Sequence, residues 1–131
     1  MIDLWFETDK CLIAGRWIAA ESGRTLALEN PSDGREIARI AAGGAPDIDA
    51  AVGAARTSLR GDWGQTPAAG RGRVLTRLGQ LVAENADRLA RIEAADVGKP
   101  LTQAKADALA LARYCEFYGG AADKVMGETI P

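Results

Sequence analysis

At 131 residues, 47% hydrophobic and 26% charged, the chain suits one domain and is too apolar for disorder to be its overall state. A net charge of −2 and a pI near 5.2 argue against a nucleic-acid partner, which needs a surplus of Lys and Arg on one face. With no histidine, Ser-His and Cys-His catalysis are excluded within these residues, and the commonest metal ligand is missing.

The start, Met1-Ile2-Asp3-Leu4-Trp5-Phe6-Glu7, lacks the basic opening of a signal peptide, and no apolar run approaches membrane-spanning length. Cys11 and Cys115 form no CxxC motif, a pattern that fits a reducing compartment. The expected location is the cytoplasm, with neither nucleic acid nor membrane as partner. Residues 1–11 read as an N-terminal extension, 12–41 as strands and 46–124 as helices.

Leu12-Ile13 and Trp17-Ile18 flank Ala14-Gly15-Arg16 as a tight hairpin, in which Ala14 is a poor choice for positive φ. Leu26 and Leu28 alternate with Ala27 and Glu29 as a weak strand. Asn30-Pro31-Ser32-Asp33-Gly34 is a turn, and Glu36 to Ile40 is the returning strand. Pro46, Asp47 and Asp49 suit a helix start, and Ile48, Ala51, Val52, Ala55 and Leu59 share one stripe. That helix ends at Gly61-Asp62-Trp63-Gly64. Thr66-Pro67 opens the next, whose expected buried stripe is Val74, Leu75, Leu78, Leu81 and Val82. Asn85 caps a continuation carrying Leu89, Ile92 and Ala95, and Gly98-Lys99-Pro100 stops it. A last helix runs from about Thr102 to Lys124, with Ala108, Leu109, Leu111, Ala112, Cys115 and Tyr118 crowding its circumference. The expected class is α+β: a helical cluster with a small antiparallel sheet, forming one incomplete domain.

Few residues offer chemistry. Gly70-Arg71-Gly72 lacks the third glycine of a dinucleotide loop and follows no strand, and Gly43-Gly44 precedes a helix without a P-loop lysine. Both read as loop or cap. Cys115 lies in an apolar helical pattern, and Cys11 has only Lys10 beside it, so both read as small hydrophobes. Glu93 and Asp96, and Arg71, Arg73 and Arg77, read as solvated helix faces. Trp5, Trp17 and Trp63 are too scattered in sequence for a stacking platform.

Short motifs nevertheless fall in a recognisable order: Leu12-Ile13-Ala14-Gly15-Arg16-Trp17, then Asn30-Pro31-Ser32-Asp33-Gly34-Arg35-Glu36-Ile37-Ala38, then Ile48 to Arg56 with Trp63 beyond it. Asp96-Val97-Gly98-Lys99-Pro100, Ala122-Asp123-Lys124 and Gly127-Glu128-Thr129-Ile130-Pro131 follow. Together they resemble the N-terminal section of the aldehyde dehydrogenase superfamily, with Val97 in place of its usual threonine. The resemblance implies an NAD- or NADP-dependent enzyme that oxidises aldehydes to carboxylic acids. It places the catalytic cysteine, glutamate and asparagine, the Rossmann-type glycines and the ribose-binding lysine beyond Pro131. No catalytic, cofactor or metal residue is therefore carried over to this chain, and no cofactor is expected on it alone. The expectation is an N-terminal fragment, catalytically inactive in isolation. The partner is a missing C-terminal portion or a second copy, the alternatives being a self-associating module or one subunit of a split enzyme.

Overall fold

In sequence order, the strands come first and the helices after them, as the residue pattern predicts. The structure, a computed structural model, describes residues 4–128. Met1-Ile2-Asp3, and the Thr129-Ile130-Pro131 end of the last motif, lie outside the described residues. The described elements are β1 (Cys11–Ile13), β2 (Arg16–Ile18), β3 (Thr25–Glu29), β4 (Glu36–Ala41), α1 (Ala45–Arg60), α2 (Asp62–Gln65), α3 (Ala68–Glu84), α4 (Ala86–Val97) and α5 (Leu101–Ala121).

The strands form two separate antiparallel pairs, β1 with β2 and β3 with β4. In the first, Leu12 faces Trp17 across a two-residue turn in which Ala14 (φ 52°) and Gly15 (φ 74°) are both left-handed. That geometry matches the twist of the flanking strands. Ala14 takes it at a cost of about 1–2 kcal/mol. The second pair is irregular at Leu28/Glu29 and closes through the Asn30 turn. Here the Ser32 N–H donates to Asn30 Oδ1 (2.9 Å), the Gly34 N–H to the Asn30 carbonyl (2.8 Å), and the Asn30 N–H to the Arg35 carbonyl (2.9 Å). Two-stranded ribbons are marginal by themselves. Flanking backbone supports this one: the Ala41 N–H donates to the Thr8 carbonyl and the Ala42 N–H to the Arg24 carbonyl.

Two compact units are distinguishable: residues 4–65 with 92–99, and residues 66–91 with 100–128. In the first, α4 ends at Gly98, which is left-handed (φ 72°) and passes so close to Pro31 that a Cβ built there would lie 2.9 Å from Pro31 Cγ. In the second, α3 and α5 approach through small residues. A Cβ on Gly72 would fall 2.3 Å from the Gly119 carbonyl oxygen, and one on Gly79 2.8 Å from that of Ala112. Thr76, between the two glycines at helical spacing, donates its hydroxyl hydrogen to the Gly72 carbonyl.

Burial matches the expected stripes only in part: Val82, Ala108, Ala112 and Cys115 are buried and Leu75 is half-buried, but most of the larger residues are not. The buried apolar residues are Ala20, Val82, Ala86, Ala90, Ala104, Ala108, Ala112 and Cys115, and among the described residues no large side chain is fully enclosed. Val74, Leu78 and Leu81 on α3 are exposed, as are Ile48, Val52 and Leu59 on α1. For α3 the physical reason is the close α3–α5 crossing. Backbones within van der Waals reach leave room only for glycine and alanine between them, so the larger residues on the adjoining faces turn outward. Asn85 serves both helices: its backbone carbonyl accepts the Leu89 N–H (3.0 Å) at the start of α4, while its side-chain amide donates back to the Leu81 carbonyl (2.8 Å) and finishes α3.

Candidate functional site

The residues with chemical potential do not converge. Cys115 is buried on α5 among the alanines, and Cys11 is half-buried on β1; both are free thiols. Glu93 pairs with Lys99 (2.6 Å) and not with Asp96. Arg71 donates to the Thr66 carbonyl, and Arg77 reaches Gln80 and Glu84, so these arginines are spent on their own helix neighbourhood. Among the described residues, no three His, Cys, Asp or Glu side chains cluster as a metal site. Trp5 and Trp17, read as scattered, are brought together by Phe6. Phe6 meets Trp5 edge to face at 5.6 Å and stacks with Trp17 at 6.4 Å, forming an exposed aromatic patch on the first hairpin.

The glycine pairs do not fit a dinucleotide phosphate. Gly70 and Gly72 lie inside the first turns of α3, where Gly72 faces Gly119. The Gly44 amide at the start of α1 already donates to Asp47 Oδ2 at 2.8 Å, so the anion at that helix start is the chain's own carboxylate. Asp47 is 8% exposed, and its other oxygen accepts the Glu21 N–H at 2.9 Å, tying the segment after β2 to α1. The sequence reading took Asp47 only as a helix-start charge. The three-residue spacing Gly44-x-x-Asp47, which is that of a capping box, was the available signal.

The Gly44 amide first, and the Glu21 amide second, hold the Asp47 carboxyl below its ordinary value of 3.8. A depressed carboxyl contributes stability above its unfolded value and loses it as pH falls through the lower, folded value. The first unit should therefore loosen on acidification below 3.8. Asp47→Asn should melt lower than the parent near neutral pH, with the gap closing in acid. A gap that stays constant with pH would show that the carboxylate charge is not what holds this joint.

The second unit carries a groove of about 260 Å³ between α3 and α5, lined by Thr76, Gly79, Gln80, Ala83, Ala112 and the paired Arg113 and Glu116. Elsewhere on its surface α5 presents Leu111, Tyr114, Phe117 and Tyr118 outward. Within the described residues, these belong to the exposed apolar surfaces of the second unit.

The sequence profile of the aldehyde dehydrogenase family matches residues 17–131. The chain belongs to the aldehyde dehydrogenase family. It is 45% identical over 118 residues to hydroxyisobutyraldehyde dehydrogenase of Mycolicibacterium austroafricanum, covering 90% of this chain and 23% of that protein. It is 41% identical to mitochondrial benzaldehyde dehydrogenase of Antirrhinum majus, again covering 23% of the relative. Among solved structures, a Burkholderia cenocepacia protein described as an aldehyde dehydrogenase superimposes with a TM-score of 0.90 at 56% identity, over 93% of this chain and 26% of that one. PnpE, solved with nicotinamide adenine dinucleotide, superimposes at 0.88 with 36% identity. The chain thus spans about a quarter of its relatives' length and corresponds to the N-terminal segment of the aldehyde dehydrogenase fold. The two hairpins, the Asn30 turn and the Gly98 corner are parts of that segment. Among the described residues, no helix of this aldehyde dehydrogenase segment is long and apolar enough to cross a membrane.

Proposed function

We propose that this chain is the N-terminal part of the cofactor-binding domain of a cytoplasmic, NAD- or NADP-dependent enzyme that oxidises an aldehyde to a carboxylic acid. In that enzyme it contributes structure, and its 131 residues alone do not turn over substrate. The observation that carries this reading is the burial pattern: alanines make up most of the buried apolar residues, and most of the large apolar side chains, Val82 excepted, lie at least partly outside. Such faces are stable in water only when something covers them.

The magnitude favours a large partner. The chain exposes 9645 Å². A folded monomer of 13.8 kDa exposes about 6,600 Å² by the usual size scaling, leaving an excess of about 3,000 Å². A standard-size association covers roughly 800 Å² on each partner. A standard-size second copy would leave most of the excess wet, whereas an obligate homodimer covers up to about 2,500 Å² on each partner. The three quarters of the relatives' length that this chain does not span is large enough to cover it.

The test compares the chain alone with a fusion of the chain to the remaining three quarters of the Mycolicibacterium relative. Expected is aldehyde-dependent formation of reduced nicotinamide from the fusion and none from the chain. Turnover by the purified chain would overturn the proposal.

A further inference from the structure

The Asn30 turn carries a chemically reactive step. Asp33-Gly34 is the one Asp-Gly pair in the sequence, which has no Asn-Gly. Glycine after an aspartate leaves the following backbone nitrogen unshielded by a side chain. That nitrogen can attack the aspartate carboxyl carbon and close a five-membered succinimide. A C–N bond forms, a C–O bond breaks, and the carboxyl oxygen leaves as water. Water then reopens the ring at either carbonyl. Opening at one restores aspartate; opening at the other leaves isoaspartate, whose main chain runs through Cβ. Nothing is oxidised or reduced, and water is the only co-reactant.

The surroundings permit this reaction. Asp33 and Gly34 are both exposed. A Cβ built on Gly34 would meet nothing within 4 Å, so no neighbouring element bars the carboxyl from swinging over the nitrogen. The hydrogen bonds of the turn oppose it. The Gly34 N–H donates to the Asn30 carbonyl at 2.8 Å, which holds the proton that the attacking nitrogen has to lose. The Asp33 carboxylate accepts the Arg35 N–H at 3.1 Å through Oδ1, and its Oδ2 lies 3.7 Å from Arg35 Nε. Asn30 Oδ1 accepts the Ser32 N–H, and the Asn30 N–H donates to the Arg35 carbonyl, both at 2.9 Å. The turn therefore opens only by breaking several hydrogen bonds together.

We propose that Asp33 is a site of spontaneous isomerisation and that the intact Asn30 turn is its brake. The reaction runs from the fraction of molecules in which the turn is locally open. Isomerisation also removes the brake. The extra main-chain methylene between residues 33 and 34 takes the Gly34 and Arg35 partners out of register with Asn30. Pro31, which lies against the Gly98 corner, then loses its fixed position. This chemistry belongs to the turn itself and does not depend on the function proposed above.

The test incubates the chain at neutral pH and body temperature, in buffer and in unfolding guanidinium chloride. Trypsin then releases residues 25–35 as one peptide, whose isoaspartyl form separates at unchanged mass. Expected is isoaspartate at position 33 in both, formed at least about tenfold more slowly in buffer, because hydrogen bonds of ordinary net strength keep all but about a tenth of the turns closed. Asn30→Ala removes the acceptor of the Ser32 amide and should raise the rate in buffer about three- to tenfold, with the rate in denaturant unchanged. Absence of isoaspartate in denaturant would overturn the site. Equal rates in buffer and denaturant would overturn the brake, and so would a folded Asn30→Ala chain that reacts as slowly as the parent. Should Asn30→Ala unfold, the ratio of the parent's two rates still decides.

Discussion

Gly72→Ala destabilises the second unit by about 1–2 kcal/mol, while Gly53→Ala, the same chemical change on α1, stabilises the chain by up to about 1 kcal/mol. Two effects compete at each position. Replacing an interior helical glycine by alanine gains about 1 kcal/mol, because the unfolded chain has less freedom to lose. Against this stands whatever the new methyl meets. At Gly53 it meets nothing within 4 Å, so the helical gain stands alone. At Gly72 it meets the Gly119 carbonyl oxygen at 2.3 Å and Ala122 Cβ at 3.1 Å. The first is backbone and cannot swing aside, so α5 must retreat along the crossing. Its retreat loosens Ala112 and Cys115 against Gly79 as well, since all three share the same contact line. Overpacking of this kind costs about 1–3 kcal/mol and exceeds the helical gain. Urea unfolding of the two variants should move the midpoint in opposite directions. A Gly72→Ala chain as stable as Gly53→Ala would mean that α3 and α5 do not approach this closely.

That crossing also explains which parts of the fold could be read from sequence. Turns and helix ends were legible because their causes are local. Pro46 suits a first helical turn, Asn30 accepts a hydrogen bond from two residues on, and Gly98 takes a left-handed φ, each with little outside help. The helical stripes were legible as stripes. Val74, Leu78 and Leu81 do share a side of α3, and Ala108, Ala112 and Cys115 a side of α5. Periodicity reports which residues lie together and is silent on whether anything covers them. In this segment Ala108 and Ala112, both part of the expected apolar pattern, are covered by Gly72 and Gly79, whose missing side chains carry no hydropathy signal. The Asp47 joint was hidden for a different reason. Its partner Glu21 is 26 positions away and is engaged through its backbone N–H, which every non-proline residue possesses.

Gly98→Ala costs the first unit about 2–3 kcal/mol, from two separable sources. The first is conformational. At φ 72° an L-residue brings its Cβ against the following carbonyl, worth about 1–2 kcal/mol. The second is steric: the same Cβ would stand 2.9 Å from Pro31 Cγ and 3.7 Å from Pro31 Cβ, atoms of a ring that cannot rotate away. The Asn30 turn holds that ring in place through the Ser32 and Gly34 amides, and the Lys99–Glu93 pair fixes the other side of the corner. Neither side yields without breaking hydrogen bonds. A double-mutant cycle separates the two sources. In a Pro31→Ala background the ring is gone and the conformational part alone remains, so Gly98→Ala should cost about half as much there. Gly98→Asn should recover part of the conformational loss, because asparagine tolerates the left-handed region better than alanine does. Identical costs for Gly98→Ala with and without Pro31 would mean that the end of α4 is not seated against the Asn30 turn.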